Sequence, residues 1–147
     1  LDASWRVPGS YALIVHLPRA IALSAGRLAA APLAAGHYAY LGSARGPGGL
    51  AARVGRHLRP AKRRHWHVDY LLEYAHITEV WASPGLERLE CRWARQLANA
   101  PAWRVAIPRF GASDCRCVSH LFRRVESPAW DEARRELGVP WLLRGAP

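Results

Sequence analysis

A carboxylate lies on a helical face that is otherwise apolar. Position 90 shares this face with positions 86, 93 and 97, where the residues are Leu86, Trp93 and Leu97. Burying an unpaired carboxylate is costly, so Glu90 would need a cation, hydrogen-bond donors or a metal ion. A structural ion pair with an arginine is the alternative, and Leu89 could replace Glu90 in the stripe.

A guanidinium and an imidazole stand four residues apart on a second predicted helix. Arg53 and His57 flank the apolar face formed by Leu50, Val54 and Leu58. Together they could clamp a phosphate, and the imidazole could also move a proton. A solvated basic face is the alternative interpretation.

Two tyrosines, Tyr11 and Tyr40, stand on two predicted strands. Buried tyrosines are common in sheets, so the pair alone indicates little. A phenol near several cations can, however, have a lowered pKa and accept a proton.

A cluster of titratable residues follows the basic segment at residues 62–64. His65 and Asp69 are four residues apart and could share a helix face, with His67 near the helix start. These side chains could orient a phosphate or support a metal ligand. Alternatively, Asp69 simply occupies a favourable position in the first turn of a helix.

Three cysteines and a histidine suggest a separate metal site. Cys115, Cys117 and His120 lie close together in sequence, and Cys91 could be a fourth ligand. A Cys₃His set suits structural zinc. The C-x-C spacing is tighter than the usual C-x₂₋₄-C, so reduced, packed thiols are the favoured alternative.

Short strands and helices must position these residues. Periodicity and turn residues predict strands over residues 9–17, 20–24, 36–42, 77–81 and 117–125. They predict helices over residues 50–59, 65–75, 86–99 and 129–137. Residues 101–113 are predicted to be irregular. The pattern is typical of one α/β domain with a C-terminal extension.

Composition narrows the class of protein. The 147 residues include 21 Lys+Arg and 11 Asp+Glu, giving a net charge of +10, and Lys62 is the only lysine. Arginine binds phosphate bidentately, so the charge suits a polyanion, although codon bias could explain the arginine-to-lysine ratio. No stretch of about 18 uncharged apolar residues predicts a membrane span. The lack of a signal-like start and the odd cysteine count predict a cytoplasmic location.

Several of these residues resemble a known family in order and spacing. The chain is similar to the GIY-YIG nucleases through Gly9-Ser10-Tyr11, Tyr40-Leu41-Gly42, Arg53 and Glu90. It resembles one branch more closely, the small Uri-type proteins once classed as a domain of unknown function, DUF123. The matching stretches are GSYALIV, YAYLGSARGPGGLAARVGRHLR, HWHVDYLL, Glu90-Cys91 and FGASDCRCVSHLF.

The resemblance implies a fold of the α/β (α+β) class. The expected core is a small mixed, largely antiparallel three-stranded central sheet flanked by helices, with an additional C-terminal strand and helix. Residues 9–125 would form the nuclease domain, and residues 126–147 a helical extension of the same domain.

The resemblance also implies a metal-dependent endonuclease that hydrolyses phosphodiester bonds in DNA. Glu90 would hold one divalent cation, Mg²⁺ or Mn²⁺, and Arg53 would stabilise the transition state. Tyr11 or Tyr40 would accept a proton from the attacking water, with His57 assisting.

The nucleic-acid-binding residues are predicted from the same motifs and the basic segment. They are Gly42, Ser43, Arg56, Arg59, Lys62, Arg63, Arg64, His65 and His67. The Gly-Pro-Gly-Gly insert lengthens the loop before the helix, which makes Arg56 a rival of Arg53 for the catalytic position. The middle residue of the first motif, Ser10, is polar where an aliphatic residue is usual.

Two other functions compete with DNA cleavage. The first is a nucleic-acid-binding module with little hydrolytic activity that acts with a repair or processing protein. The second is a zinc-stabilised interaction domain built on the cysteines. No membrane partner is expected.

Overall fold

The computed structural model describes residues 1–144, which form eight strands and four helices after a short 3-10 turn. The strands are β1 Gly9–Leu17, β2 Ile21–Leu23, β3 Ala31–Leu33, β4 Gly36–Ala44, β5 His76–Pro84, β6 Trp103–Val105, β7 Leu121–Arg124 and β8 Trp141–Arg144. The helices are α1 Gly49–Leu58, α2 His67–Leu71, α3 Glu90–Ala98 and α4 Trp130–Leu137.

The main sheet has six strands in the order β6-β7-β4-β1-β5-β8, and β2 and β3 form a separate hairpin. The prediction of a three-stranded sheet is therefore wrong. The predicted α+β class and the largely antiparallel arrangement are confirmed, and every strand pairing within residues 1–144 is antiparallel rather than mixed. The extra strands β6 and β8 are three and four residues long, too short for a clear alternation pattern.

β1 lies at the centre of the sheet and separates two apolar layers. Its odd-numbered residues from Tyr11 to Leu17 join the core beneath α1 and α2, whereas Ala12 and Ile14 join the core beneath α3 and α4. This division follows from the two-residue period of a strand, because successive side chains point to opposite faces. The sheet is thus covered on both sides.

Several element boundaries differ from those predicted. α3 begins at Glu90, and Leu86 lies before the helix with 80% of its surface exposed, so it is not part of the buried face. Glu90, Trp93 and Leu97 are buried as predicted. α2 is shorter than predicted, and β3 was not predicted.

The C-terminal part adds more than a helix to the fold. β8 pairs with β5 over residues Glu79–Ala82 and extends the main sheet. The last three residues of the predicted extension, 145–147, lie outside the described residues. No helix among residues 1–144 is both long and apolar enough to cross a membrane.

Candidate functional site

A cleft of about 180 Å³ opens where β4 loses one neighbour. β7 pairs with β4 only over Tyr38–Tyr40, and the last contact on that side is the amide of Leu41 donating to the carbonyl of His120 at 2.9 Å. Beyond this point the edge of β4 is uncovered, so side chains from both layers can meet at it. The cleft is lined by residues that include Tyr11, Tyr40, Gly42, Ser43, Arg53, Trp66, Arg88, Glu90, Asp114 and His120.

Tyr11 and His57 form a buried hydrogen-bonded pair. The Tyr11 hydroxyl lies 2.8 Å from His57 Nε2, and both residues are almost fully buried. Burial lowers the pKa of His57 to about 3, and the charges of Arg53, Arg56 and Lys62 act in the same direction. His57 is therefore neutral at neutral pH and able to accept a hydrogen bond from the phenol.

Both phenols are protonated at neutral pH. Burial raises the pKa of Tyr11 and of Tyr40 well above the usual value, and the Arg53 guanidinium opposes this without overcoming it. The sequence-based idea that nearby cations lower the phenol pKa is thus wrong for the free protein. Desolvation outweighs the attraction because β1, β4 and α1 enclose both rings.

Gly42 has no side chain, so the phenol of Tyr11 on β1 can lie against the backbone of the neighbouring strand β4. A Cβ atom on Gly42 would lie 2.5 Å from the Tyr11 hydroxyl oxygen. Such a contact is shorter than any normal approach of two atoms, so a side chain here would displace the phenol. The glycine of the motif Tyr40-Leu41-Gly42 is therefore needed to leave room for the Tyr11 ring.

Arg53 lines the cleft, whereas Arg56 is engaged elsewhere. Arg53 donates to the carbonyl oxygen of Ser43 at 3.1 Å, and its guanidinium carbon lies 4.2 Å from the centre of the Trp66 ring. The guanidinium of Arg56 also lies over Trp66, at 4.4 Å, but it binds both carboxylate oxygens of Asp69. Between the two candidate arginines, the geometry places Arg53 at the cleft.

Asp69 connects α1 to the start of α2. Its buried carboxylate accepts hydrogen bonds from Arg56 at 2.9 and 3.0 Å and from the backbone amides of His65 and Trp66. Burial raises the pKa of the carboxyl, but these hydrogen bonds have the larger combined effect and hold the pKa below its usual value. Asp69 therefore fixes the segment that carries Trp66, and it does not face the cleft.

Glu90 enters the cleft from the first turn of α3. One of its oxygens accepts a hydrogen bond from Ser10 Oγ at 3.2 Å, and the same hydroxyl accepts one from the Leu89 amide at 3.0 Å. The other oxygen has no hydrogen-bond partner among the described residues and is not sealed from solvent. A hard divalent cation that keeps several waters suits such a carboxylate.

The predicted basic segment lines an open groove of about 650 Å³ beside α1. Lys62 donates to the carbonyls of His57 and Arg59, and Arg64 pairs with Glu73. Arg59 and Arg63 are exposed, with no ion pair inside residues 1–144. The groove is lined by Arg56, Arg59, Ala61, Lys62, Arg63, Arg64 and His65.

This basic groove and the cleft are joined by shared residues. A smaller groove lies beside residues 46–49, the glycine-rich loop. It is lined by Arg56, which also lines the basic groove, and by Arg53 and Trp66, which also line the cleft. His67 lines neither of the two grooves, and its Nδ1 instead accepts a hydrogen bond from the Gly111 amide at 2.8 Å.

The three cysteines and His120 come together at the other end of the cleft. Their four potential ligand atoms all lie within 4.8 Å of one another. Cys91 and Cys115 lie 4.0 and 3.5 Å from His120 Nε2, and all three cysteines are free thiols. The group could hold a metal ion.

The family model described as "Domain of unknown function DUF123" matches residues 10–138 of this sequence. The chain belongs to this family. No curated protein and no solved structure gives a significant match.

The DUF123 match includes every cleft residue named above, from Tyr11 of β1 to His120. It leaves out β8, which begins at Trp141. The matched residues therefore include both apolar layers and the cleft at the uncovered edge of β4, whereas β8 lies beyond them.

Two residues of this DUF123 domain escaped sequence reasoning. Trp66 contacts both candidate arginines, and Ser10 orients Glu90. The polar residue at the middle of the first motif was a signal for Ser10, because it breaks an apolar strand next to the cleft. The stretch HWHVDYLL, which resembles the family, sets Trp66 apart from the six other tryptophans, but no pattern in it indicated a contact with the arginines.

Proposed function

We propose that this protein is a metal-dependent endonuclease of the GIY-YIG type, Uri branch, that hydrolyses phosphodiester bonds in DNA. One observation carries the proposal: Tyr11, Tyr40, Arg53 and Glu90, from four separate elements, line a single cleft. These are the residues through which the sequence resembles that family. The predicted cytoplasmic location is kept on the strength of the free cysteines.

Each half of the cleft has a distinct role in this proposal. Arg53, held by Ser43 and Trp66, donates to a non-bridging phosphate oxygen and stabilises the charge that develops there. Glu90, held by Ser10, binds Mg²⁺ or Mn²⁺. When bound, the cation polarises the phosphate and offsets its charge.

Tyr11 and His57 form the proton path. With the His57 proton on Nδ1, the Tyr11 hydroxyl donates to Nε2. The attacking water gives its proton to the Tyr11 oxygen while Tyr11 passes its own proton to His57. A bound phosphate anion favours this step, because it offsets the positive charges of Arg53, Arg56 and Lys62 that lower the pKa of His57.

A DNA-binding module without hydrolytic activity is the second candidate. Two observations favour it: burial keeps the pKa of both phenols high, and the exposed arginines Arg59 and Arg63 need no catalytic machinery to attract a polyanion. DNA binding is common to both candidates, so only cleavage separates them.

The deciding experiment compares Glu90→Gln with Glu87→Gln. Supercoiled, linear and branched DNA are incubated with wild type and both variants, with Mg²⁺, with Mn²⁺ and without divalent metal. Even outer-shell partners of a metal commonly contribute about 10–100-fold, so Glu90→Gln should lower the cleavage rate more than about 100-fold while DNA binding persists. Glu87 is exposed and three residues earlier, so its variant should cut like wild type.

Two results would contradict the proposal. If wild type binds DNA at low salt but cuts none of the substrates with either metal, the binding module is correct. If Glu90→Gln cuts as fast as Glu87→Gln, the assignment of the metal ligand is wrong.

A further inference from the structure

Three thiols and one imidazole meet beside the cleft, because the fold brings Cys91 of α3 to the loop that carries Cys115, Cys117 and His120. Tetrahedral zinc, with bonds of about 2.0–2.3 Å, holds its ligand atoms about 3.5–3.8 Å apart. The sulfur atoms of Cys91 and Cys115 lie 4.0 and 3.5 Å from His120 Nε2, and all four ligand atoms fall within 4.8 Å. Movements of less than about 1 Å would complete the tetrahedron.

The backbone around these residues is already held in place. His120 is buried, its amide donates to the carbonyl of Phe110 at 2.8 Å, and its carbonyl accepts from Leu41. The Arg109 side chain donates to the carbonyls of Ala112, Cys115 and Cys117. The loop thus presents its ligands from a fixed frame, with a guanidinium nearby to offset the charge of thiolates.

The ligand chemistry selects the metal. Thiolate and imidazole are the ligands of structural zinc, and an S₃N set in tetrahedral arrangement excludes the hard cations that prefer oxygen. We propose that Cys91, Cys115, Cys117 and His120 bind one Zn²⁺ ion in a closed, structural site. Four protein ligands complete its coordination, so this ion takes no part in hydrolysis.

The zinc ion would fasten the loop at residues 106–120, which contains no helix or strand, to the first turn of α3. Cys91 directly follows Glu90, and Cys115 and His120 line the same cleft. The ion therefore fixes one wall of the cleft. The proposal concerns metal content alone, so it stands whether or not the protein cuts DNA.

The test measures zinc in protein produced with added zinc and purified under reducing conditions. Elemental analysis should find about one zinc per chain in wild type. Cys117→Ser and His120→Ala should each lose at least about 90% of it, because a missing ligand opens the site. Cys117 does not line the cleft. Asp114→Asn removes an exposed carboxylate beside the cluster and should retain the zinc.

A second measurement covers variants that fail to fold. Reduced, zinc-free wild type is titrated with Co²⁺, which should give the intense absorption of tetrahedral thiolate-bound cobalt and lose it when zinc is added. Wild type that carries no zinc and gives only octahedral cobalt would overturn the proposal. So would a zinc content that is unchanged in both Cys117→Ser and His120→Ala.

Discussion

Tyr11 and His57 show how burial decides the chemistry of single residues. Sequence spacing put the phenol and the imidazole near several cations, which favours a charged phenolate. In the folded chain both groups are enclosed and hydrogen-bonded to each other at 2.8 Å, and burial keeps both neutral. Burial cannot be read from spacing alone, because it depends on which strands and helices close over the pair.

The pKa of His57 makes stability depend on pH. Below about pH 6.5 the unfolded chain takes up a proton on His57, whereas the folded chain does so only near pH 3. Stability should therefore fall as pH drops through this window, by up to about 1.4 kcal/mol per pH unit from His57. His57→Gln keeps an acceptor for Tyr11 but cannot titrate, so its stability should change less.

Urea unfolding at about pH 5 and about pH 7 measures this difference. Histidines 37, 67 and 120 also have a lowered pKa and contribute to the slope in both proteins. The difference between wild type and His57→Gln isolates His57. Equal loss of stability in the two proteins would show that His57 is not buried in its neutral form.

At the scale of elements, short-range patterns predicted the long strands and the apolar helix faces. β1 Gly9–Leu17 matches its predicted bounds, and α1 differs by one residue at each end. The four-residue strand β8 and the three-residue strand β6 were missed, because pairing with distant partners creates them. Likewise, the choice between Arg53 and Arg56 depended on Asp69, which lies on another helix.

The contact between α1 and α2 should be a major contributor to stability. Asp69→Ala leaves Arg56 and two backbone amides without their acceptor, and we expect a loss of about 3 kcal/mol in the free energy of unfolding. Glu87→Ala removes an exposed ion pair with Arg92 and should change stability by less than about 0.5 kcal/mol. Chemical denaturation of both variants provides the comparison, and similar losses would contradict this role for Asp69.

At the scale of the whole molecule, the arginines behind the net charge of +10 fall into two groups, those bound within the fold and those accessible to a partner. Some arginines are committed to the fold, such as Arg56 with Asp69 and Arg109 with three carbonyls. Others line the basic groove that leads through shared residues to the cleft. Composition predicted a polyanionic partner, but only the structure separates the structural arginines from the accessible ones.

The exposed arginines should set the salt dependence of DNA binding. Arg59→Ala and Arg63→Ala should each reduce the slope of log K against log salt by about 1, since each removes one phosphate contact. Arg135→Ala, on α4 in the opposite layer, should leave the slope unchanged. Binding titrations across a range of salt concentrations measure all three slopes. Equal slopes for Arg135→Ala and the groove variants would place the DNA elsewhere.

The alternation of β1 has a consequence for how this gene can change in length. Ser10 faces Glu90 and the α3 layer, while its neighbour Tyr11 faces His57 and the α1 layer. A codon gained or lost within β1 would exchange these two faces for every residue on one side of it. The glycine-rich loop does not alternate between two faces, and it has open space around Gly46, although Gly49 packs closely against Val7. Insertions and deletions among relatives should accumulate in that loop and be absent from β1.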